Sequence, residues 1–212
     1  MKLTKDNSVA ELALQEGQKF HIFQYQYLLD MKDKIFYALG DEELRKEIFQ
    51  KVNSCFKEDY SSSLAGEIAL EHLLTDNELS LKIKSFLCSR VNYTMNGQVK
   101  DVDTNDLEKN NSNDIWLNRM ESNEYNPAHY HGGLLSWIWY IDIPEEIREE
   151  SKNNKTMGLV EFKSGRSNEL MRFNPRTNDF FMFNSDHMHT VYPFRSNVTR
   201  MSLAGNIHQL IY

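Results

Sequence analysis

Residues Asn126 to Ile143 read NPAHYHGGLLSWIWYIDI. Two histidines, His129 and His131, stand one residue apart, a Gly-Gly pair follows, and then comes a long apolar and aromatic run. Side chains alternate along an extended backbone, so a strand here puts His129 and His131 on one face. Two imidazoles on one face can hold a metal ion at about 2 Å. A second pair, His187 and His189, follows the apolar run DFFMF farther along the chain. One such pair is an ordinary finding near a strand end. Two pairs, each beside a strand-like segment, point to a metal site assembled from distant strands of a β-barrel.

Around that stretch the C-terminal half reads as short strands: Ile115–Met120, Tyr125–His131, Leu134–Ile143, Gly158–Phe162, Glu169–Phe173, Asp179–Phe183, Met188–Phe194 and Val198–Gly205. Turn-rich pieces such as NPRTND and RSN separate them. A row of short strands of this kind predicts a sandwich or barrel. Pro144–Met157, a charged insertion too long for a hairpin turn, is either solvated padding or a lid over the site.

The N-terminal half has a different character. Phe20–Tyr27 is aromatic and reads as a strand. In Leu28–Leu39 the residues Leu28, Met31, Ile35, Phe36 and Leu39 recur at helical steps, with Gly40 as C-cap and Asp41 as the next N-cap. The next helix carries Leu44, Ile48, Val52 and Phe56 on one stripe. A third opens at a capping box of Thr75 and Glu78 and buries Leu79, Ile83, Phe86 and Leu87. Polar Gln98–Asn113 reads as a long surface loop or mobile segment. The expected class is α+β, mainly β, in a single domain over 1–212: a helical support region with an N-terminal strand over 1–100, and a β core over 113–212.

The chain of 212 residues has a formal charge of -7, which argues against general nucleic-acid binding. Its two cysteines, Cys55 and Cys88, form no metal or disulfide framework. The polar start MKLTKDNS has no apolar core of a signal peptide, and no apolar run reaches membrane-span length. A cytoplasmic location without membrane contact is the expectation. Homo-oligomerisation is left open.

The chemistry rests on His129, His131 and one histidine of the second pair, which supply ligands from separate strands. Arg200, in the strand VTRMSLAGN, can pair bidentately with a carboxylate, and Ser202 stands two residues on.

The ordered series of HxH, a strand ending in Trp-Tyr, GLVEF, DFFMF, HTVYPF and RMSLAGN resembles the iron(II)/2-oxoglutarate-dependent oxygenases. The nearest group is the prolyl-4-hydroxylase-like set, which includes many phage oxygenases. That resemblance covers about residues 115–206. It implies a double-stranded β-helix, or jelly roll, and a facial triad of iron ligands with open positions. By that resemblance His129 and His189 match the two histidine ligands. His189 is preferred to His187 because H-x-V-x-P follows it. Arg200 matches the arginine that pairs with the remote carboxylate of 2-oxoglutarate, and Tyr140 a tyrosine that donates to the same group. His131 departs from the pattern, standing where the family most often has Asp. A three-histidine site is chemically reasonable; Glu161, Asp142 and Asp186 rank below it as a source of carboxylate. The implied reaction uses Fe(II), 2-oxoglutarate and O2, hydroxylates a small molecule or peptide side chain, and releases succinate and CO2. Two other readings stay open. One is a cupin-like three-histidine metalloprotein, against which Leu135 and Ser136 stand where a cupin has Glu. The other is a non-catalytic jelly-roll binding protein.

Overall fold

A computed structural model describes residues 34–59, 68, 70–94, 99–106, 112–153, 156–163 and 170–211. The strand expected at Phe20–Tyr27, and Leu28 to Asp33 of the first expected helix, lie outside them.

Ile35–Leu39 is a strand (β1), not the end of a helix. It pairs antiparallel with Asp179–Asn184 (β12), and Phe36 packs on the core while Tyr37 hydrogen-bonds the Asp179 carboxylate at 2.9 Å. Its β-branched and aromatic residues fit a half-buried pleated edge, and sheet pairing overrode the helical spacing. Gly40 therefore caps no helix. Its backbone lies against Trp139, where a Cβ would meet the indole nitrogen at 2.1 Å. Asp41 does cap the next helix, α1 (Glu42–Cys55), its side chain accepting from Glu43 N and Leu44 N. Ile48 and Val52 are buried as the stripe requires, and Phe56 begins β2 (Phe56–Asp59) instead of ending the helix. β3 (Leu70–Leu74) leads to α2 (Asn77–Thr94), which buries Leu79, Ile83, Phe86 and Leu87. The cap of α2 is Asp76, whose carboxylate accepts from Leu79 N at 2.7 Å; Thr75 donates to Cys55 O instead. A carboxylate beside the helix N-terminus displaces the expected capping box.

The polar Gln98–Asn113 segment contains β4 (Asp101–Asp103), β5 (Asn105–Asp106) and β6 (Ser112–Asn113), with Val99 and Val102 buried. Two isolated valines among acids and amides gave no alternating pattern to read.

All eight expected C-terminal strands form: β7 (Ile115–Met120), β8 (Asn126–His129), β9 (Leu135–Asp142), β10 (Val160–Lys163), β11 (Leu170–Phe173), β12, β13 (Met188–Val191) and β14 (Arg200–Ile207). Gln209–Ile211 (β15) pairs with β4. The major sheet runs β1-β12-β9-β14-β7-β3-β2, and the minor sheet runs β11-β10-β13-β8. Together they make a mainly β jelly roll. Helices α1 and α2 pack on the outer face of the major sheet through Trp137, Trp139, Phe180, Leu117 and Leu203. Ile138, Tyr140, Phe181 and Phe183 point inward, against Val160, Phe162 and Val191 of the minor sheet. β9 is thus covered on both faces, which explains its apolar and aromatic run Trp137–Ile141.

Pro144–Met157 is mostly helix α3 (Glu145–Asn153). Ile147 anchors it in the inter-sheet core, close against Gly158, and the Glu150 carboxylate accepts from Arg195 N at 2.8 Å. Among the described residues, none of this segment lines the central cavity.

Candidate metal centre

Strand pairing creates the centre. β8 and β13 run antiparallel with His129 and His189 as register partners, so their rings face each other with centroids 4.1 Å apart. β8 ends at His129, and His131 lies just beyond the strand. Simple alternation does not therefore place it. Its amide donates to Ser185 O at 3.1 Å, and its ring lies 4.8 Å from His129, 5.1 Å from His189 and 5.5 Å from Trp116. One ring nitrogen from each histidine falls within 4.8 Å of the others. His187, two residues before His189, is buried but does not line the cavity.

The protonation of the rings suits metal binding. His129 Nδ1 lies 2.7 Å from Pro127 O, and His189 Nδ1 lies 3.3 Å from His187 O. A carbonyl can only accept, so both Nδ1 atoms carry the proton and both Nε2 atoms present a lone pair. Burial pushes the His129 pKa down. His189 is held well below the usual histidine value by burial and then by its two histidine neighbours. Neutral imidazole is the ligating form.

Arg200, Tyr140 and Ser202 line the same cavity from the major sheet. Ser202 is the register partner of Tyr140, which puts the two on one inward face. A register shift between Met201 and Ser202 marks a bulge on the β9 side. Arg200 is 1% exposed and donates from Nη1 to Gly158 O at 3.0 Å, and its guanidinium lies 5.2 Å from the Tyr140 ring centroid. Its Nε has no partner, and no carboxylate pairs with it among the described residues. Tyr140 is fully buried beside the Arg200 guanidinium, and its pKa is pushed up to about 12, chiefly by burial, with the arginine pulling the other way. A buried, unpaired cation beside a neutral phenol is costly alone and complements an anion. Three imidazole nitrogens plus this anion seat fit iron(II) together with a dicarboxylate.

No Asp or Glu lines the cavity among the described residues. Glu161 is engaged by Arg172, whose Nε donates at 2.5 Å. Asp142 and Asp186 do not line the cavity. The sequence reading missed Trp116, Asn118 and Met120 on β7, and Asn126 and Ser136, all of which line it. Alternation along IWLNRM could have supplied the first three.

Residues 114–206, just under half the chain, match the family model described as "Putative 2OG-Fe(II) oxygenase". No curated protein matches the sequence significantly. Among solved structures, a prolyl-4-hydroxylase from Pseudomonas putida is similar over 88% of this chain and 98% of that one, at 10% identity and a TM-score of 0.55. A prolyl hydroxylase from Trichoplax adhaerens, solved with a hypoxia inducible factor oxygen degradation domain peptide fragment, covers 91% and 92% at 11% identity and a TM-score of 0.53. An oxidoreductase of the 2OG-Fe(II) oxygenase family from Burkholderia pseudomallei covers 88% and 93% at 12% identity and a TM-score of 0.54. At such identities the likeness to these structures is one of fold. With the family match across its jelly roll, residues 114–206 resemble the 2OG-Fe(II) oxygenases, and the chain shares the fold of the prolyl hydroxylase structures.

Proposed function

We propose that the chain is a non-haem iron(II)/2-oxoglutarate-dependent dioxygenase whose metal ligands are His129, His131 and His189. The observation that carries this is one cavity holding three converging imidazoles and, on its other wall, the unpaired Arg200 guanidinium. Iron(II), when bound, supplies the activation of dioxygen that couples decarboxylation of 2-oxoglutarate, to succinate and CO2, with hydroxylation of a substrate.

The chain's own residues do the rest. Arg200 offers its fork to the remote carboxylate of 2-oxoglutarate, Tyr140 donates its retained phenolic proton to the same group, and Ser202 flanks them. Pro127 O and His187 O hold the rings of His129 and His189 in the ligating tautomer. Phe183, Val191, Ile138 and Trp116 wall the cavity with apolar surface and exclude water. Three neutral ligands leave the double charge of iron(II) uncompensated, so dianionic 2-oxoglutarate matters more for holding the metal than where a carboxylate ligates. The catalytic core spans residues 113–212, with the preceding part as its support. The prime substrate is a small molecule or a peptide side chain, met in the cytoplasm.

The missing carboxylate favours one other reading, a three-histidine metalloprotein that does not use 2-oxoglutarate. Anaerobic iron loading, then exposure to O2 with 2-oxoglutarate and assay of succinate with and without candidate substrates, tests the proposal. Succinate that depends on iron and on Arg200 supports it, and its absence with iron bound favours the alternative.

A further inference from the structure

His129 and His189 are fixed by a strand ladder, but His131 lies off the strand, and the backbone hydrogen bond that ties it is to Ser185 O. Something must therefore fix Ser185. A row of buried polar side chains does so. Ser185 Oγ and Ser136 Oγ are 2.9 Å apart, Ser136 Oγ is 2.7 Å from Asn206 Oδ1, and Asn206 Nδ2 donates to Asp114 Oδ2 at 2.5 Å. His208 Nε2 reaches the same carboxylate oxygen at 3.2 Å. Ser136, Ser185, Asn206 and Asp114 are all buried.

The direction of every bond in this row follows from its end. A carboxylate only accepts, so Asn206 turns its amino group to Asp114 and its oxygen to Ser136. That oxygen only accepts, so Ser136 spends its single proton there. Ser185 must then donate to Ser136. The Ser185 side chain is thus locked, with its backbone also tied through Ser185 N to Leu134 O at 3.4 Å. Leu134 N in turn donates to Ile207 O at 2.8 Å, next to Asn206. Gly133, at φ +98, makes the turn between His131 and Leu134 in a conformation L side chains rarely adopt. The row spans from Asp114, ahead of β7, through β14 and β9 to the loop after β12, and so joins four segments around the ligand loop.

We infer that Ser185, Ser136 and Asn206 are positioning residues that hold His131 in the metal centre through Ser185 O. The inference rests on the proposed ligand role of His131. The row replaces, for this ligand, the strand pairing that serves the other two. Residues behind a ligand commonly change metal affinity by about 10–100-fold when removed.

The test is cobalt(II) binding to the full chain, read as affinity and as the visible spectrum of the bound ion, for the parent, Ser136→Ala, Ser185→Ala and His131→Ala. Each serine variant is also made in the His131→Ala background. Circular dichroism of each metal-free protein establishes that it is folded, and Ser185→Ala, which removes only the terminal hydroxyl of the row, is the milder perturbation should Ser136→Ala not fold. Each serine variant is expected to bind cobalt(II) about tenfold more weakly, with its spectrum shifted toward that of His131→Ala, and to add no further loss once His131 is gone. Parent-like affinity and spectrum in folded serine variants overturn the inference. So does an equal loss with and without His131, since the row would then act on the fold at large. Parent-like binding by His131→Ala overturns the ligand assignment beneath it, a result the serine variants alone cannot produce.

Discussion

Arg200→Met separates the binding role of the buried cation from its effect on stability. Methionine keeps an unbranched apolar stem and deletes the charge. In the parent, Nη1 is committed to Gly158 O while Nε has no partner, so the fork has capacity for an incoming carboxylate. Hydrogen bonds to charged groups contribute about 1.5–3 kcal/mol each. Two of them come to about 3–6 kcal/mol, at about 1.4 kcal/mol per tenfold. Tyr140 and Ser202 remain to retain part of this, so 2-oxoglutarate should bind the variant about 10–100-fold more weakly. Stability should move the other way. The desolvated cation has no carboxylate partner, and replacing a buried ion by an apolar side chain is often neutral or stabilising by about 1–4 kcal/mol. Loss of the bond to Gly158 O returns about 1 kcal/mol. At about 2–4 °C per kcal/mol for a chain of this size, the metal-free variant should melt at the parent temperature or several degrees above it. Isothermal titration of 2-oxoglutarate into metal-loaded protein and thermal melting of metal-free protein read the two effects. Unchanged 2-oxoglutarate affinity, or a melting temperature lowered by several degrees, would refute the reasoning.

His131→Asp restores a carboxylate at the ligand position and should keep iron, while His131→Ala should lose about tenfold or more in affinity; equal iron binding by both and by the parent counts against His131 as a ligand. The His208 pKa is raised, chiefly by its bond to Asp114. A raised histidine pKa adds stability below about pH 6.5 that fades as pH rises through the folded-state value. The melting-temperature gap between parent and His208→Gln should therefore shrink from acid toward alkaline pH, and a flat gap sinks the assignment. Gly40→Ala puts a Cβ 2.1 Å from Trp139 Nε1 and 2.5 Å from Asn178 Oδ1. That overpacking should cost about 1–3 kcal/mol in denaturant unfolding, and an unchanged midpoint would contradict the packing described.

The jelly roll was legible because its strands carry their own signals. Val160–Lys163 and Asp179–Asn184 alternate or run apolar between clear turns, and β9 advertises two buried faces by the run Trp137–Ile141, apolar and aromatic on both sides. The grouping of His129, His131 and His189 was legible from paired histidines, but not the way His131 is held. That depends on Ser185, Ser136 and Asn206, residues far apart in sequence whose types are common in any loop or strand. β1 was misread because Ile35, Phe36 and Leu39 satisfy a helical stripe as well as a pleat, and only the partner strand β12 decides between them. The cap of α2 was misplaced by one residue because Thr75 and Asp76 are both good caps, and tertiary contact with Cys55 O claims the threonine.

The most direct test of the metal centre is anaerobic titration of 2-oxoglutarate into the chain with and without iron(II), repeated for His129→Ala and His189→Ala. Tight binding that requires iron and is lost in both variants is the expected result. Binding of equal strength without iron, or in the histidine variants, would contradict a centre in which these imidazoles hold the metal that receives the co-substrate.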